Sequence, residues 1–347
     1  MSESFFGYQL SLLIAGLALL YAFSNGFRDS STIVATVVST RALSPRKAFL
    51  LCALFEFLGA LLIGSAVIMT IGKNLFQFPS QYGHNQILVL VGSGLSAAIL
   101  WGGISWWRAW PTSNNQALLG GLFGSSLALW GIQGINLSVL LRVFLVLIIS
   151  PLIGFLVSAV VTMFIRYVGE WLTPQVKPII QKIHIGSCLL VSCAHGSNDG
   201  QIVIGLILLI SGLLHPGSSS SSLEHREWFL GIRFFVALFI ASGVLMGGKR
   251  ILKKMGMKFY RIMPTQGLGA QLTSAGTILS CALAGFPAST MQVITGSVVG
   301  AGVAKNPKSI RWTVAEEIVL SWMITIPSAG ILGFVFCTFA KYLAAGS

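Results

Sequence analysis

SCAHGSNDGQIVIG, residues 192–205, sets small and polar residues and an aspartate, Asp199, inside a mostly apolar chain. A second run of this kind, AFSNGFRDSSTIVA at 22–35, carries Asp29. Asp29 and Asp199 are the only aspartates in the 347 residues. The chain is 54% apolar and only 9% charged, where a soluble domain carries about 25% charged residues. Runs of 18 or more mostly apolar residues recur from end to end, the pattern of helices that cross a membrane. The expected fold class is therefore an all-α polytopic membrane protein. A β-barrel would show alternation instead of solid apolar runs.

The net charge of +13 would suggest nucleic acid in a soluble protein. Here the Lys and Arg residues gather between apolar runs, as in cytoplasmic loops, and no nucleic-acid partner is expected. The basic stretches are RALSPRK at 41–47, Arg166 to Lys182, GKRILKKMGMKFYR at 248–261 and KNPKSIR at 305–311. They are placed inside. FQFPSQYGHNQ at 76–86, WGIQGIN at 130–136 and HPGSSSSSLEHRE at 215–227 are placed outside, the serine run as a flexible connector. MSESFFGYQL at the start lacks a basic n-region, so no cleavable signal is expected. Both termini fall outside. Five scattered cysteines, at 52, 188, 193, 281 and 337, form neither a disulfide framework nor a zinc pattern.

With this orientation the first span and residues 183–213 cross in opposite senses, each carrying one aspartate in a polar interruption. A second pair of features keeps the order: WPTSNNQALLGGLFG at 110–124 and FPASTMQVITGSVVG at 286–300. Two features repeated in order, with opposite orientation, predict an inverted-topology repeat, the architecture of many secondary transporters. The units are 1–165 and 183–347, joined by a connector at 166–182. Residues 292–303 span about 18 Å as a helix, too little for a hydrocarbon core of about 30 Å. Residues 87–132 and 267–304 are therefore expected as two re-entrant helical hairpins, with tips at 111–116 and 287–292 meeting near the midplane.

A hairpin tip leaves the first N–H groups of its second helix free, and with the helix dipole these bind anions. Ser113, Asn114 and Asn115 in one tip, and Ser289 and Thr290 in the other, add side-chain donors. Two opposed N-termini suit a tetrahedral oxyanion such as phosphate or sulfate. The simpler alternative for either Pro-Ser element is an ordinary helix cap; the matched pair favours the site. A membrane-embedded carboxylate costs a few kcal/mol and usually marks function. Beside an oxyanion, Asp29 and Asp199 need a cation between or on them, and both are candidate Na⁺ or H⁺ sites. Asn25, Asn198, Thr32 and Gln201 offer neutral oxygens to such a cation. The competing role for Asp29 is a local ion pair with Arg28. Glu56 is a further intramembrane carboxylate, for a proton, a buried Arg or helix packing. Arg108 stands near the first tip, facing the anion or snorkelling. His195 reads as a helix hydrogen-bonding residue, and Trp101, Trp106, Trp107 and Trp110 as packing or interface anchors.

These motifs resemble those of the inorganic phosphate transporter (PiT) family. AHGSNDGQIVIGLI at 194–207 is close to the family's duplicated signature, and NGFRDSSTIVATVVSTRAL at 25–43 is a looser copy. The family's Pro-x-Ser-Thr-Thr/Ser-His element is echoed at 111–116 and 287–292, and PTQGLGAQLTSAG at 264–276 is similar to the segment before the second hairpin. The resemblance implies a bacterial inner-membrane permease that carries phosphate, or in some members sulfate, with Na⁺ or H⁺, and that forms homodimers among membrane lipid. It puts substrate between the tips and the two motif segments. Asp29 and Asp199 take the motif aspartates, Asn198 the second motif's Asn, and Ser113, Ser289 and Thr290 the tip positions. Several residues depart from the family pattern. Arg28 stands for Asn or His, Thr32 for Asn, Gln116 and Gln292 for His, and Asn114, Asn115 and Met291 for hydroxyl residues. Gln271 replaces a frequent acid. Other readings are an oxyanion carrier other than for phosphate, a passive channel, and an intramembrane enzyme acting on a phospholipid, for which no catalytic constellation is recognisable.

Overall fold

The computed structural model describes residues 2–77, 83–171, 173–211, 223–247 and 262–345. The serine run, the whole basic stretch 248–261 and part of the loop at 76–86 lie outside the described residues. Among the described residues eleven α-helices follow in order: α1 Ser2–Ser39, α2 Pro45–Leu62, α3 Ala66–Met69, α4 His84–Trp107, α5 Asn114–Trp130, α6 Leu137–Glu170, α7 Lys177–Ile210, α8 Leu223–Met246, α9 Pro264–Leu283, α10 Thr290–Val303 and α11 Trp312–Ala345. Seven are long and apolar enough to cross a membrane, or eight if α2 and the segment Ala66–Asn74, bent by 64°, form one broken span. The outer faces are apolar. On α6, Leu141, Leu145, Ile148, Leu152, Leu156, Val160 and Met163 point outward at helical spacing, the reverse of a soluble helix. The chain is an all-α, multi-pass membrane protein.

Pro151 lies inside α6 and Pro327 inside α11, each helix being 34 residues long. The separation of these prolines equals that of Pro111 from Pro287, Ser113 from Ser289 and Gln116 from Gln292. Packing follows the same exchange. α1 lies on α8 as α2 lies on α7; α5 lies on α11 as α10 lies on α6; α1 meets α4 as α7 meets α9. Close approach depends on small residues, as expected where lipid gives no hydrophobic drive to association. A Cβ at Gly196 of α7 would collide with the Glu56 carbonyl of α2, and one at Gly59 of α2 with the Cys193 carbonyl of α7.

Neither polar motif breaks its helix: α1 and α7 run straight through residues 22–35 and 192–205. The interruption is one of composition alone, because amide and carboxylate side chains satisfy one another while the backbone keeps its ladder. The chain bends instead at Ile63–Ser65, which composition did not mark. There Ser197 donates to the Ile63 carbonyl at 3.1 Å, the Val67 N–H donates to Gln201 Oε1 at 2.9 Å, and Arg233 of α8 donates to the carbonyls of Leu61 and Gly64. Side chains of neighbouring helices thus fill the place of the lost helical bonds, the condition for irregular backbone at membrane depth.

α4 with α5, and α9 with α10, form helical pairs whose breaks, at 108–113 and 284–289, come together inside the protein. At 14 residues, α10 measures about 21 Å and is too short to cross. Length alone does not separate α4 and α5 from crossing helices.

Candidate functional site

Both tips restart a helix on a serine. Ser113 caps α5, its Oγ accepting from the Gln116 N–H at 3.2 Å. Ser289 occupies the same place on α10 but caps nothing: its hydroxyl and that of Thr290 are buried without a partner. Across the tips, Gln116 and Gln292 exchange reciprocal amide hydrogen bonds of 3.2 and 2.9 Å. Asn115 of the first tip also donates to the Ala288 carbonyl of the second at 2.8 Å. The expected meeting of the tips is therefore present, through amides at positions where the family pattern has other side chains.

The two motif helices cross beneath the tips. Asp199 accepts from Asn25 at 3.1 Å, Asn115 at 3.0 Å and Asn198 at 2.6 Å. Asn198 also clasps tip two, donating to the Ala288 carbonyl and accepting from its N–H, both at 3.0 Å. Asp29 accepts from Asn114 at 3.3 Å. Arg28 turns away from its neighbour: its guanidinium donates to the Thr112 carbonyl at 3.1 Å, the Thr112 hydroxyl at 2.7 Å, and Asn114 Oδ1. It serves as a buried strut between α1 and tip one, not as the local ion pair for Asp29. Gly102 of α4 leaves the space it fills.

His195 joins the carboxylates. Its Nδ1 lies 2.8 Å from Glu56 Oε2, and its Nε2 lies 3.1 Å from Asp199 Oδ2 and 3.8 Å from Asp29 Oδ2. All four side chains are buried. Glu56, on α2, is thereby wired to the aspartates of α1 and α7. Asp29, His195 and Asp199 also present one ligand atom each within 4.8 Å of one another, a spacing that could hold a metal ion. The sequence motif alone marks His195 only as a hydrogen-bonding residue of its helix. The signal that could have found it is its helical register, four residues before Asp199.

Some candidates fall elsewhere. Gln201 is committed to the helix bend, its oxygen on the Val67 N–H and its nitrogen on Ser197. Thr32 is buried with an unpartnered hydroxyl and bonds neither aspartate. Arg108 is exposed at the end of α4, stacked near Trp107 and Trp110.

A buried cluster of carboxylates, amides and an imidazole between two helix restarts, in a multi-pass helical bundle, defines a membrane transporter of small ions. The family model described as "Phosphate transporter family" matches residues 25–333, and the chain belongs to that family. It is 36% identical over 93% of its length to a protein of Mycobacterium tuberculosis (strain ATCC 25618 / H37Rv), covering 76% of that relative. Identity is 32% to one of Rhizobium meliloti, with 97% and 98% covered, and 31% to one of Bacillus subtilis, with 94% and 96% covered. All three carry the name "Probable low-affinity inorganic phosphate transporter". A solved structure titled "The sodium-dependent phosphate transporter" superposes with a TM-score of 0.82 at 22% identity, covering 96% of this chain and 99% of that one; the fold is shared. Membership of a transporter family sets aside the intramembrane enzyme.

Proposed function

We propose that this phosphate transporter couples its substrate to Na⁺ or H⁺ at the Asp29–His195–Asp199 cluster and works by alternating access. The observation that carries the reading is the imidazole of His195 set among three buried carboxylates. With His195 as imidazolium and Arg28 as the second cation, the cluster still holds an excess of one negative charge. An arriving phosphate deepens that excess at low dielectric, where uncompensated charge is expensive. A co-bound cation removes it, so anion and cation each lower the cost of the other. The oxyanion takes the donors that are present and unused: the hydroxyls of Ser289 and Thr290 and the free N–H groups at the start of α10. The cation takes the aspartates and Asn25, whose Oδ1 is also buried and unpartnered.

The exchange of packing partners supports two inverted units, 1–165 and 183–347, with the helical pairs as re-entrant hairpins. Basic loops then face the cytoplasm and both termini the outside, in a bacterial inner membrane. The test is uptake of labelled phosphate into proteoliposomes under imposed Na⁺ or pH gradients, with sulfate as competitor. Saturable uptake driven by one gradient and weakly inhibited by sulfate is expected. Uptake indifferent to both gradients contradicts the coupling.

A further inference from the structure

A second buried polar cluster lies outside this site, towards the basic-loop end of the same helices. Thr36 of α1 is its centre. Gln271 of α9 donates to the Thr36 hydroxyl and to the Ile33 carbonyl, both at 2.7 Å, and the His184 Nε2 of α7 lies 3.2 Å from the same hydroxyl. All three side chains are buried. Two strong polar atoms in it have no partner, Gln271 Oε1 and His184 Nδ1. Unpaired groups of this kind cost about 1–3 kcal/mol each. At the opposite end, Ile14 of α1, Leu88, Val91 and Leu95 of α4 and Ile207 of α7 belong to one buried apolar cluster.

Above the cluster lies a cavity of about 500 Å³, among whose lining residues are Thr40, Ile180, Gln181, Pro264 and Thr265. The register links the two. Thr40 is one turn beyond Thr36, Ile180 one turn before His184, and Pro264 two turns before Gln271. Each cluster residue thus stands near a wall residue of the cavity on its own helix or, for Thr40, on the turn that ends it. Arg41 and Lys182 are exposed beside Thr40 and Gln181, against one carboxylate, Glu170. A rim of this sign concentrates anions.

The chemistry of the open positions narrows the ligand. The Thr36 hydroxyl accepts from Gln271 and can give its own proton to His184 Nε2, which leaves His184 Nδ1–H as a free donor. Gln271 Oε1 is a free acceptor. A singly protonated oxyanion matches both, with P–O⁻ on the imidazole N–H and P–OH on the amide oxygen. We propose that the Thr36–His184–Gln271 cluster is a second, transit site for hydrogen phosphate between the aspartate site and the basic-loop cavity. It rests on the reading of the chain as a phosphate carrier and adds the route of release.

The test uses Thr36→Val and Gln271→Leu in the full-length protein. Expected are phosphate binding in detergent within about twofold of wild type and uptake into proteoliposomes slowed about tenfold, since the first site is intact and passage is not. Uptake at the wild-type rate overturns the transit site, and so does a parallel loss of binding and uptake. Should either variant misfold, Gln181→Cys in a chain whose five native cysteines are changed to Ala, labelled with a bulky anionic thiol reagent, reports on the cavity alone: blocked uptake, and labelling slowed by phosphate, are expected. Labelling that neither blocks nor is slowed overturns the proposal. Wild-type protein that takes up no phosphate contradicts the transport reading itself, whereas normal wild-type transport beside unaffected variants contradicts the transit site alone.

Discussion

His195 Nδ1 lies 2.8 Å from Glu56 Oε2, and Nε2 of the same ring lies 3.1 Å from Asp199 Oδ2. One imidazole thus joins a carboxylate of α2 to the motif aspartate of α7. His195→Gln keeps hydrogen-bonding capacity but cannot become a cation, so three carboxylates are left with Arg28 alone. Phosphate uptake in proteoliposomes is expected to fall by about tenfold or more, with the protein still folded by size-exclusion profile. Unchanged uptake would show that the ring is a packing element.

Arg28 stands where the family pattern has Asn or His, and it is a strut. Arg28→Ala strips Thr112 and Asn114 of their donor and leaves buried acceptors open, a loss of about 2–3 kcal/mol. Lower thermal stability in detergent and a weakened phosphate affinity are expected together, because tip one loses its anchor to α1. Arg28→Lys restores only part, since a single ammonium cannot reproduce the guanidinium fork.

Gln116 and Gln292 face each other across the tips. Either one changed to Leu leaves the partner amide buried and unpaired, and a destabilisation of about 1–3 kcal/mol follows. The double change Gln116→Leu with Gln292→Leu removes both polar groups and is expected to be more stable than either single variant. Thermal unfolding of the four proteins is the measurement, and simple additivity of the two losses would contradict the clasp.

Gly196 sits against the Glu56 carbonyl. Gly196→Val pushes α7 off α2 and pulls Glu56 away from His195. A stability loss of about 2 kcal/mol or more is expected, with transport lost before folding is.

Much of this was legible in the sequence. Apolar runs fixed the fold class, and the paired Asp29/Asp199 and Ser113/Ser289 motifs pointed to the elements that meet. The tip helices begin at Asn114 and Thr290, where the Pro-Ser caps place them. What stayed hidden depends on side chains from distant helices. His195 matters because Glu56, from another helix, reaches its Nδ1, and no local pattern encodes that approach. Gln201 offers a neutral oxygen in the same motif, two residues beyond Asp199. On a continuous helix that offset points it to another face, where it holds the α2–α3 bend. Arg28 looked like a partner for its neighbour, yet adjacent helical residues diverge by about 100°, and it reaches tip one instead.

Coupling of a cation to phosphate by the carboxylate cluster is tested most directly at Glu56. Glu56→Gln separates coupling from binding, because Glu56 reaches the site only through His195. Phosphate counterflow at equal ion concentrations on both sides should persist in this variant, while accumulation driven by a Na⁺ or pH gradient should be lost. Accumulation at the wild-type level under the same gradient would contradict the account.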